Sequence, residues 1–168
     1  MTVLRRALAV ALFAMLGCAF AQQIELPRRV PKLAGKLLVA TARSHDPDLG
    51  HAVILVIHSD VEGVMGLVIN HPVAGTKPAT WFGGPIPLGV RTLIRARAVP
   101  PGAERIFDDI YLLQGANDRA GARVYAGYAG WSVPQIQDEL ARRLWRTIPA
   151  DAKLVFDPHP ETLWRRLR

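Results

Sequence analysis

The sequence predicts a mixed α/β domain of the α+β type. Three observations lead to this prediction. Short runs rich in β-branched residues follow one another with turn residues between them, as in a sheet of successive strands. One amphipathic helix follows Trp131, and a second helix closes the chain. Half of the 168 residues are hydrophobic, which is enough to bury the core of a single domain.

The strand predictions rest on composition and on the turns between the runs. Residues 52–57 form an uninterrupted apolar run, which is typical of a strand buried on both faces. A short turn at 59–63 separates this run from a strand at 64–70, so the two are predicted to form an antiparallel hairpin. The other predicted segments are strands at 36–43, 92–98, 108–114, 122–127 and 153–156 and a proline-rich loop at 72–89.

The helix after Trp131 has a clear start signal. Ser132 and Gln135 have the spacing of a capping box, and Pro134 falls in the first turn, where a missing N–H does no harm. Apolar residues at helical spacing extend this helix as far as the proline at 149. These residues are Val133, Ile136, Leu140, Leu144 and Trp145. The final helix is predicted at 160–167.

Residues 1–21 have the three parts of a cleavable export signal. Arg5 and Arg6 precede an apolar stretch at 7–17, and small residues follow at Ala19 and Ala21. The apolar stretch to Ala21 is 15 residues long, shorter than the ~20 residues that span a bilayer. We therefore expect a periplasmic protein with a tether at 22–34 and one domain at 35–168. An uncut membrane anchor and a wrongly assigned start codon, which would leave a cytoplasmic protein, are the alternatives.

The single cysteine, Cys18, leaves a second processing route open. It follows a small residue, Gly17, as the lipid-bearing cysteine of a bacterial lipoprotein does. Cleavage before Cys18 would tether the domain to a membrane. Cleavage after Ala21 would leave a mature chain without cysteine, which excludes disulfides, thiol catalysis and thiolate metal sites.

The charge of the chain indicates a possible partner class. The net charge is +7; without the two signal arginines the chain has 19 basic and 14 acidic residues, a net charge of +5. Such a charge attracts anions, although arginines near helix ends also occur as ordinary solvated residues. Aromatic residues do not alternate with the basic ones, and no helix-turn-helix motif is present, so no specific nucleic-acid binding is expected. An unknown protein or an anionic ligand is the expected partner, and a membrane only if Cys18 carries a lipid.

The polar residues suggest a binding site more than a reaction centre. His51 and His58 would lie on opposite faces of a strand, so no metal site is expected. The glycine segments lack the patterns of a phosphate loop or a dinucleotide site, so no cofactor is expected. Ser44, His45 and Asp46 are adjacent, whereas catalytic triads converge from separate segments. Asp46 is therefore predicted to organise its turn. The ligand-binding candidates are Asp46, His58, Asn70, Gly83 and Gly84, the glycines serving either an anion or a close backbone approach.

Several segments resemble one known family. Residues 63–72, Gly-Val-Met-Gly-Leu-Val-Ile-Asn-His-Pro, resemble the Gly-Ala-Met-Gly-Leu-Val-Ile-Asn-Arg/Lys-Pro signature of the AlgH/YqgE family. The segment at 82–85 resembles its Gly-Gly-Pro loop. The segment at 127–131, with Gln135, Glu139 and Trp145, resembles its Gly-Tyr-Ala-Gly-Trp segment and the residues that follow. The resemblance extends from about Gly35 to Leu167.

The resemblance implies a bent mixed sheet that curls into a partial barrel flanked by helices. It implies no catalytic residues and no cofactor. The family takes its name from a proposed regulatory link to alginate production, and its members are often described as transcriptional regulators. Because no convergent catalytic set is present, a non-enzymatic exported binding domain is the leading expectation. A hydrolase of an anionic envelope substrate and the cytoplasmic regulator that the family label suggests are the alternatives. The hydrolase would use His45 and Asp46 with Asn70 and His71, and the predicted export signal argues against the regulator.

Overall fold

The computed structural model describes residues 30–75 and 80–168, so the predicted export signal and Cys18 lie outside the described residues. Within these ranges the chain forms ten strands and three helices. They are β1 (Lys36–Ala40), β2 (Val53–Ser59), β3 (Val64–Val68), β4 (Pro72–Val73), β5 (Thr80–Phe82), β6 (Ile86–Arg95), β7 (Glu104–Phe107), β8 (Ile110–Gln114), β9 (Arg123–Trp131), α1 (Val133–Ala141), β10 (Trp145–Pro149), α2 (Ala152–Val155) and α3 (Pro160–Leu167).

The strands join into one mixed sheet in the order β10-β1-β2-β3-β9-β6-β8-β7. Neighbours on this path are antiparallel, including the predicted hairpin of β2 and β3. Strand β5 runs parallel to β9 and pairs with β4 on its other side. Register shifts in β2, β6 and β7 help to bend the sheet, which curls into a half-barrel. The predicted fold class is confirmed.

The central strands are buried on both faces, as predicted for residues 52–57. Side chains of β2 alternate, so Ile54 enters one core cluster and Leu55 enters the other. Helix α1 covers the first cluster through Ile136. Helices α2 and α3 cover the second cluster through Val155 and Leu163. The sheet is thus the middle layer between the helices.

The predicted helix after Trp131 is shorter than expected. Ser132 caps α1 by accepting a hydrogen bond from the Gln135 N–H, as predicted, but α1 ends at Ala141 and residues 145–149 form β10. Arg143 has a φ of +58°, a left-handed conformation that ends the helix. The segment that follows pairs with the edge of β1. The prediction was wrong here because Trp145 still packs in the same core cluster as α1, which imitates helical spacing.

Two other local predictions were wrong. The segment at 153–156 belongs to a short helix, α2, whose first turn is capped by the Asp151 carboxylate accepting from the Lys153 N–H at 2.7 Å. A four-residue apolar run cannot distinguish a buried strand from a helix by its pattern. The predicted loop at 72–89 contains β4, β5 and the start of β6, and β7 was not predicted.

Packing of the domain begins within the predicted tether. Leu33 is buried in the first core cluster. The Pro31 carbonyl accepts a hydrogen bond of 2.7 Å from the Ser59 hydroxyl. Residues 31–34 are therefore part of the folded domain, and residues 22–29 of the predicted tether lie outside the described ranges.

A buried carboxylate holds the C-terminal turn. The Asp157 side chain is 9% exposed and lies 2.6 Å from an Arg166 guanidinium nitrogen. It also accepts a hydrogen bond of 2.7 Å from the His159 N–H. Burial raises the pKa of Asp157, but the hydrogen bonds from Arg166 and His159 and the Arg166 charge outweigh burial and lower it. Asp157 therefore fixes the start of α3 as a carboxylate.

We expect Asp157→Asn to lower the free energy of unfolding at neutral pH by about 1–2 kcal/mol, a range reduced because Arg166 is partly solvated. The folded pKa is below the usual 3.8, so this contribution is complete above 3.8 and disappears as the pH falls through the folded pKa. Urea unfolding at several pH values should show the gap between wild type and variant closing in acid. Asp138→Asn, which loses only an exposed pair with Arg142, is the control. A gap that stays constant into strong acid would contradict this role.

Two fully buried tyrosines differ in their hydroxyl partners. The Tyr111 hydroxyl accepts a hydrogen bond of 2.9 Å from Arg105. The Tyr125 hydroxyl has no partner of hydrogen-bonding geometry within the described residues. Burial raises the pKa of Tyr125, and the nearby Arg123 charge only partly opposes that rise. Tyr125 therefore stays protonated with an unsatisfied buried hydroxyl.

Removing these two hydroxyls should have different effects on the free energy of unfolding. We expect Tyr125→Phe to leave the free energy of unfolding unchanged or raise it by up to about 1 kcal/mol, because an unsatisfied polar group is lost. Tyr111→Phe should lower it by about 0.5–1.5 kcal/mol, because a hydrogen bond is lost. Chemical unfolding of both variants measures the difference. Equal losses would contradict the assignment.

Candidate ligand-binding groove

Two adjoining cavities form a groove beside the C-terminal end of β9. The inner cavity has a volume of about 220 Å³ and the outer cavity about 350 Å³. Both are lined by Ile86, Gly130 and Trp131, so the two cavities adjoin at these three residues. We call this pair of cavities the groove.

A carboxylate held by two indoles forms one wall of the inner cavity. Glu139 Oε2 accepts hydrogen bonds from the indole N–H groups of Trp131 at 2.8 Å and Trp145 at 2.6 Å. Glu139 Oε1 accepts a third from the Gln135 amide at 2.9 Å. The two indole rings are nearly perpendicular, at 88°, with centroids 5.8 Å apart. These contacts use about three of the roughly four acceptor positions of a carboxylate, so Glu139 is a fixed acceptor beside apolar rings.

The loop between β1 and β2 forms another part of the inner cavity. Ser44, His45 and Asp46 line it. Asp46 Oδ1 accepts from the N–H groups of Asp48 at 2.9 Å and Leu49 at 2.8 Å. This is the turn-forming role predicted for Asp46. The carboxylate thus shapes the loop and borders the cavity as well.

The outer cavity contains the predicted candidate His58. Its Nε2 atom lies 2.8 Å from the Asp60 carboxylate. The hydrogen bond from His58, followed by that from the Glu62 N–H, lowers the pKa of Asp60. Glu62, Tyr128 and Ser132 are further polar residues of the lining. Neither cavity of the groove has a lysine or arginine among its lining residues.

Asn70 lies outside the groove, and its side chain forms hydrogen bonds with backbone groups. Its Oδ1 accepts from the Val53 N–H at 2.7 Å, and its Nδ2 donates to the His51 carbonyl at 3.0 Å. Asn70 and His71 line a separate cavity of about 550 Å³, where burial, with a smaller effect of the His51 charge, lowers the pKa of His71. The structure therefore does not place Asn70 and His71 in the cavity that contains His45 and Asp46.

Gly83 and Gly84 lie against the backbone of β9. A Cβ atom at Gly84 would be 2.2 Å from the Tyr128 carbonyl carbon, and one at Gly83 would be 2.2 Å from the Gly127 carbonyl oxygen. The Gly83 N–H donates to the Ala126 carbonyl at 2.8 Å, and its own carbonyl accepts from the Val68 N–H at 2.9 Å. The pair supports a close backbone approach, one of the two roles predicted for it.

The profile of the AlgH-like family, DUF179, matches residues 37–168. The chain belongs to the AlgH-like family. A UPF0301 protein of Streptomyces avermitilis is 32% identical, over 82% of this chain and 86% of its own length. A UPF0301 protein of Methylococcus capsulatus is 27% identical, over 83% and 92%. The family has no characterised function, so membership alone assigns no activity.

Solved structures of two other proteins have the same fold. A protein from Corynebacterium diphtheriae matches with a TM-score of 0.70 and 22% identity, covering 82% of this chain and 86% of that one. The AlgH protein from Pseudomonas aeruginosa, solved in solution, matches with a TM-score of 0.65 and 24% identity, covering 80% and 85%. These similarities confirm the curled mixed sheet of an AlgH-like domain.

The sequence prediction missed the residues around Glu139 as a site. Trp131, Gln135, Glu139 and Trp145 belong to the AlgH-like segment, but only the resemblance drew attention to them. The spacing of four between Gln135 and Glu139 was a readable signal, because such residues are neighbours on a helix. No sequence pattern indicates that Trp145 lies on a strand and packs beside Trp131, since the sequence predicts a continuous helix there.

We expect Glu139→Gln to lower the free energy of unfolding by about 1–3 kcal/mol, because the two indole N–H groups lose their charged acceptor and the new carboxamide nitrogen cannot accept from Gln135. Urea unfolding followed by tryptophan fluorescence measures this. Glu62→Gln, at an exposed residue of the outer cavity, is the matched control and should change stability by less than about 0.5 kcal/mol. Similar small effects for both variants would show that the indole contacts contribute little.

Proposed function

We propose that this AlgH-like protein is an exported binding domain without catalytic activity and that the groove holds its ligand. The observation that carries the proposal is the Glu139 carboxylate, which Trp131 and Trp145 fix at the wall of the inner cavity. These residues come from β9, α1 and β10, so three elements converge on one small volume. A fixed acceptor beside apolar surface suits the recognition of a ligand that carries a hydrogen-bond donor.

The contacts in the groove favour binding over catalysis. A general acid or base must be able to exchange a proton with a substrate, whereas Glu139 already accepts three hydrogen bonds. The side chains of His58 and its partner Asp60 are about half exposed to solvent, so the pair lacks the desolvated setting typical of a catalytic acid or base. The hydrolase alternative joins His45 and Asp46 to Asn70 and His71, and their separation into two cavities argues against it.

Binding can be tested through the tryptophan indoles. The chain has four tryptophans, of which Trp131 and Trp145 line the groove and Trp164 lines the separate cavity beside Asn70. In a fragment screen by NMR, a groove ligand should shift the indole N–H signals of Trp131 and Trp145 and leave that of Trp164, which donates to the Ala40 carbonyl, unchanged. A hydrolysed substrate, or a screen that never shifts the groove signals, would contradict the proposal.

The proposed location rests on residues 1–21, outside the described ranges. Within those ranges no helix is long and apolar enough to cross a membrane. Mass spectrometry of the mature N-terminus separates the alternatives: Gln22 supports a free periplasmic protein, and a lipidated Cys18 supports an anchored one. An intact Met1, with a silent export reporter fused to residues 1–30, would overturn export and favour the cytoplasmic regulator.

A further inference from the structure

A second cavity, at the other end of β9, is lined by arginines. Its volume is about 510 Å³, and its lining includes Arg95, Arg119 and Arg123 but no acidic residue. Trp81, Ile94 and Phe156 supply apolar surface. We call this the arginine cavity. Its size and mixed lining are typical of sites for small organic ligands.

Arg123 is the most tightly held of the three arginines. Its two terminal nitrogens donate to the carbonyls of Val155 at 2.7 Å and Asp157 at 2.5 Å. Its guanidinium carbon lies 4.1 Å from the centre of the Trp81 ring and 5.4 Å from that of Phe156. These bonds use two of the five N–H donors of an arginine, so Arg123 is a fixed positive charge with donors to spare.

Arg119 lies on a turn that the sheet holds in place. The buried hydroxyl of Thr92 accepts from the Asn117 N–H at 3.0 Å and donates to the Gly115 carbonyl at 2.8 Å. Asn117 in turn accepts from the Arg119 N–H at 3.2 Å. These bonds involve the backbone of Arg119 and leave its exposed side chain at the cavity. The turn thus keeps a second cation at the cavity.

Arg95 contributes a third guanidinium with a fixed orientation. Its Nε and one terminal nitrogen donate to the same Asp109 oxygen, at 2.9 Å and 2.7 Å. Asp109 offsets one positive charge, so Arg119 and Arg123 supply the charge surplus of the cavity. The three arginines come from β6, β9 and the loop before β9.

We propose that the arginine cavity binds a small organic phosphate monoester, with the phosphate on the arginines and the organic part against Ile94 and the ring edges of Trp81 and Phe156 that Arg123 leaves uncovered. Guanidinium groups from three elements suit the three terminal oxygens of a monoester better than the two oxygens of a carboxylate. The apolar surface and the volume suit a ligand larger than a bare ion. This site is independent of the groove and of any ligand proposed for it.

Calorimetric titration of the purified protein with phenyl phosphate tests the site. Inorganic phosphate lacks the organic part of the ligand, and phenol lacks the phosphate. Each should therefore bind at least about tenfold more weakly than phenyl phosphate. In NMR, phenyl phosphate should shift the indole signal of Trp81 and leave those of Trp131 and Trp145 unchanged. Absence of binding, or inorganic phosphate binding as tightly as phenyl phosphate, would overturn the proposal.

Variants at Arg119 give the sharpest test, because its side chain is exposed and the hydrogen bonds that hold its turn are made by its backbone. Arg119→Gln should weaken phenyl phosphate binding about tenfold, and Arg119→Lys should weaken it less, because lysine keeps the charge and loses the planar fork. Arg146→Gln, the same charge change on an exposed residue of β10, is the control and should bind like wild type. Equal losses for Arg119→Gln and Arg146→Gln would indicate general charge attraction and overturn a built site.

A phosphate monoester can be free or can be the headgroup of a lipid. Co-sedimentation with vesicles that contain phosphatidic acid, compared with phosphatidylcholine alone, distinguishes the two sources. Sedimentation that Arg119→Gln and excess phenyl phosphate both abolish supports the site with a lipid ligand. Binding of phenyl phosphate without sedimentation supports it with a free ligand. Sedimentation that neither treatment affects, without phenyl phosphate binding, would overturn the proposal.

Discussion

The close approach of Gly83 and Gly84 to β9 is the constraint on which the rest of the sheet depends. Because neither residue has a side chain, the backbone that leaves β5 can lie directly on β9. One edge of β9 then pairs first with β5 and further along with β3, while the other edge pairs with β6. A Cβ atom at either glycine would separate these strands. The junction of β5, β3 and β9 therefore depends on a close contact between backbones.

The contacts of Glu139 hold together the elements that follow β9. Its carboxylate joins Trp131 at the end of β9 to Trp145 at the start of β10, across α1. Helix α1 must end early enough for Trp145 to return, and the left-handed Arg143 provides that reversal. Trp131, Glu139 and Trp145 close this chain reversal and also line the inner cavity of the groove. The groove therefore depends on the same contacts.

Local signals in the sequence predicted part of this arrangement. The cap at Ser132, the turn at Asp46 and the two-sided burial of β2 depend on near neighbours, and the structure confirms them. Strand β10 depends on an edge of β1 more than 100 residues earlier, which no local pattern reveals. For the same reason the sequence could suggest individual candidate residues but could not predict that they line separate cavities. Glu139 can be recognised as part of a site only in the folded chain, where the indoles of Trp131 and Trp145 both reach it.

The position of the charges adds detail to the expectation drawn from net charge. An overall excess of basic residues predicts an anionic partner for the molecule as a whole. The lining of the groove has carboxylates and no lysine or arginine, whereas the lining of the arginine cavity has the reverse. Both lie along β9, the groove near Gly130 and the arginine cavity near Arg123. The charges of the two linings thus agree with the two proposals, an anion at the arginine cavity and a hydrogen-bond donor in the groove.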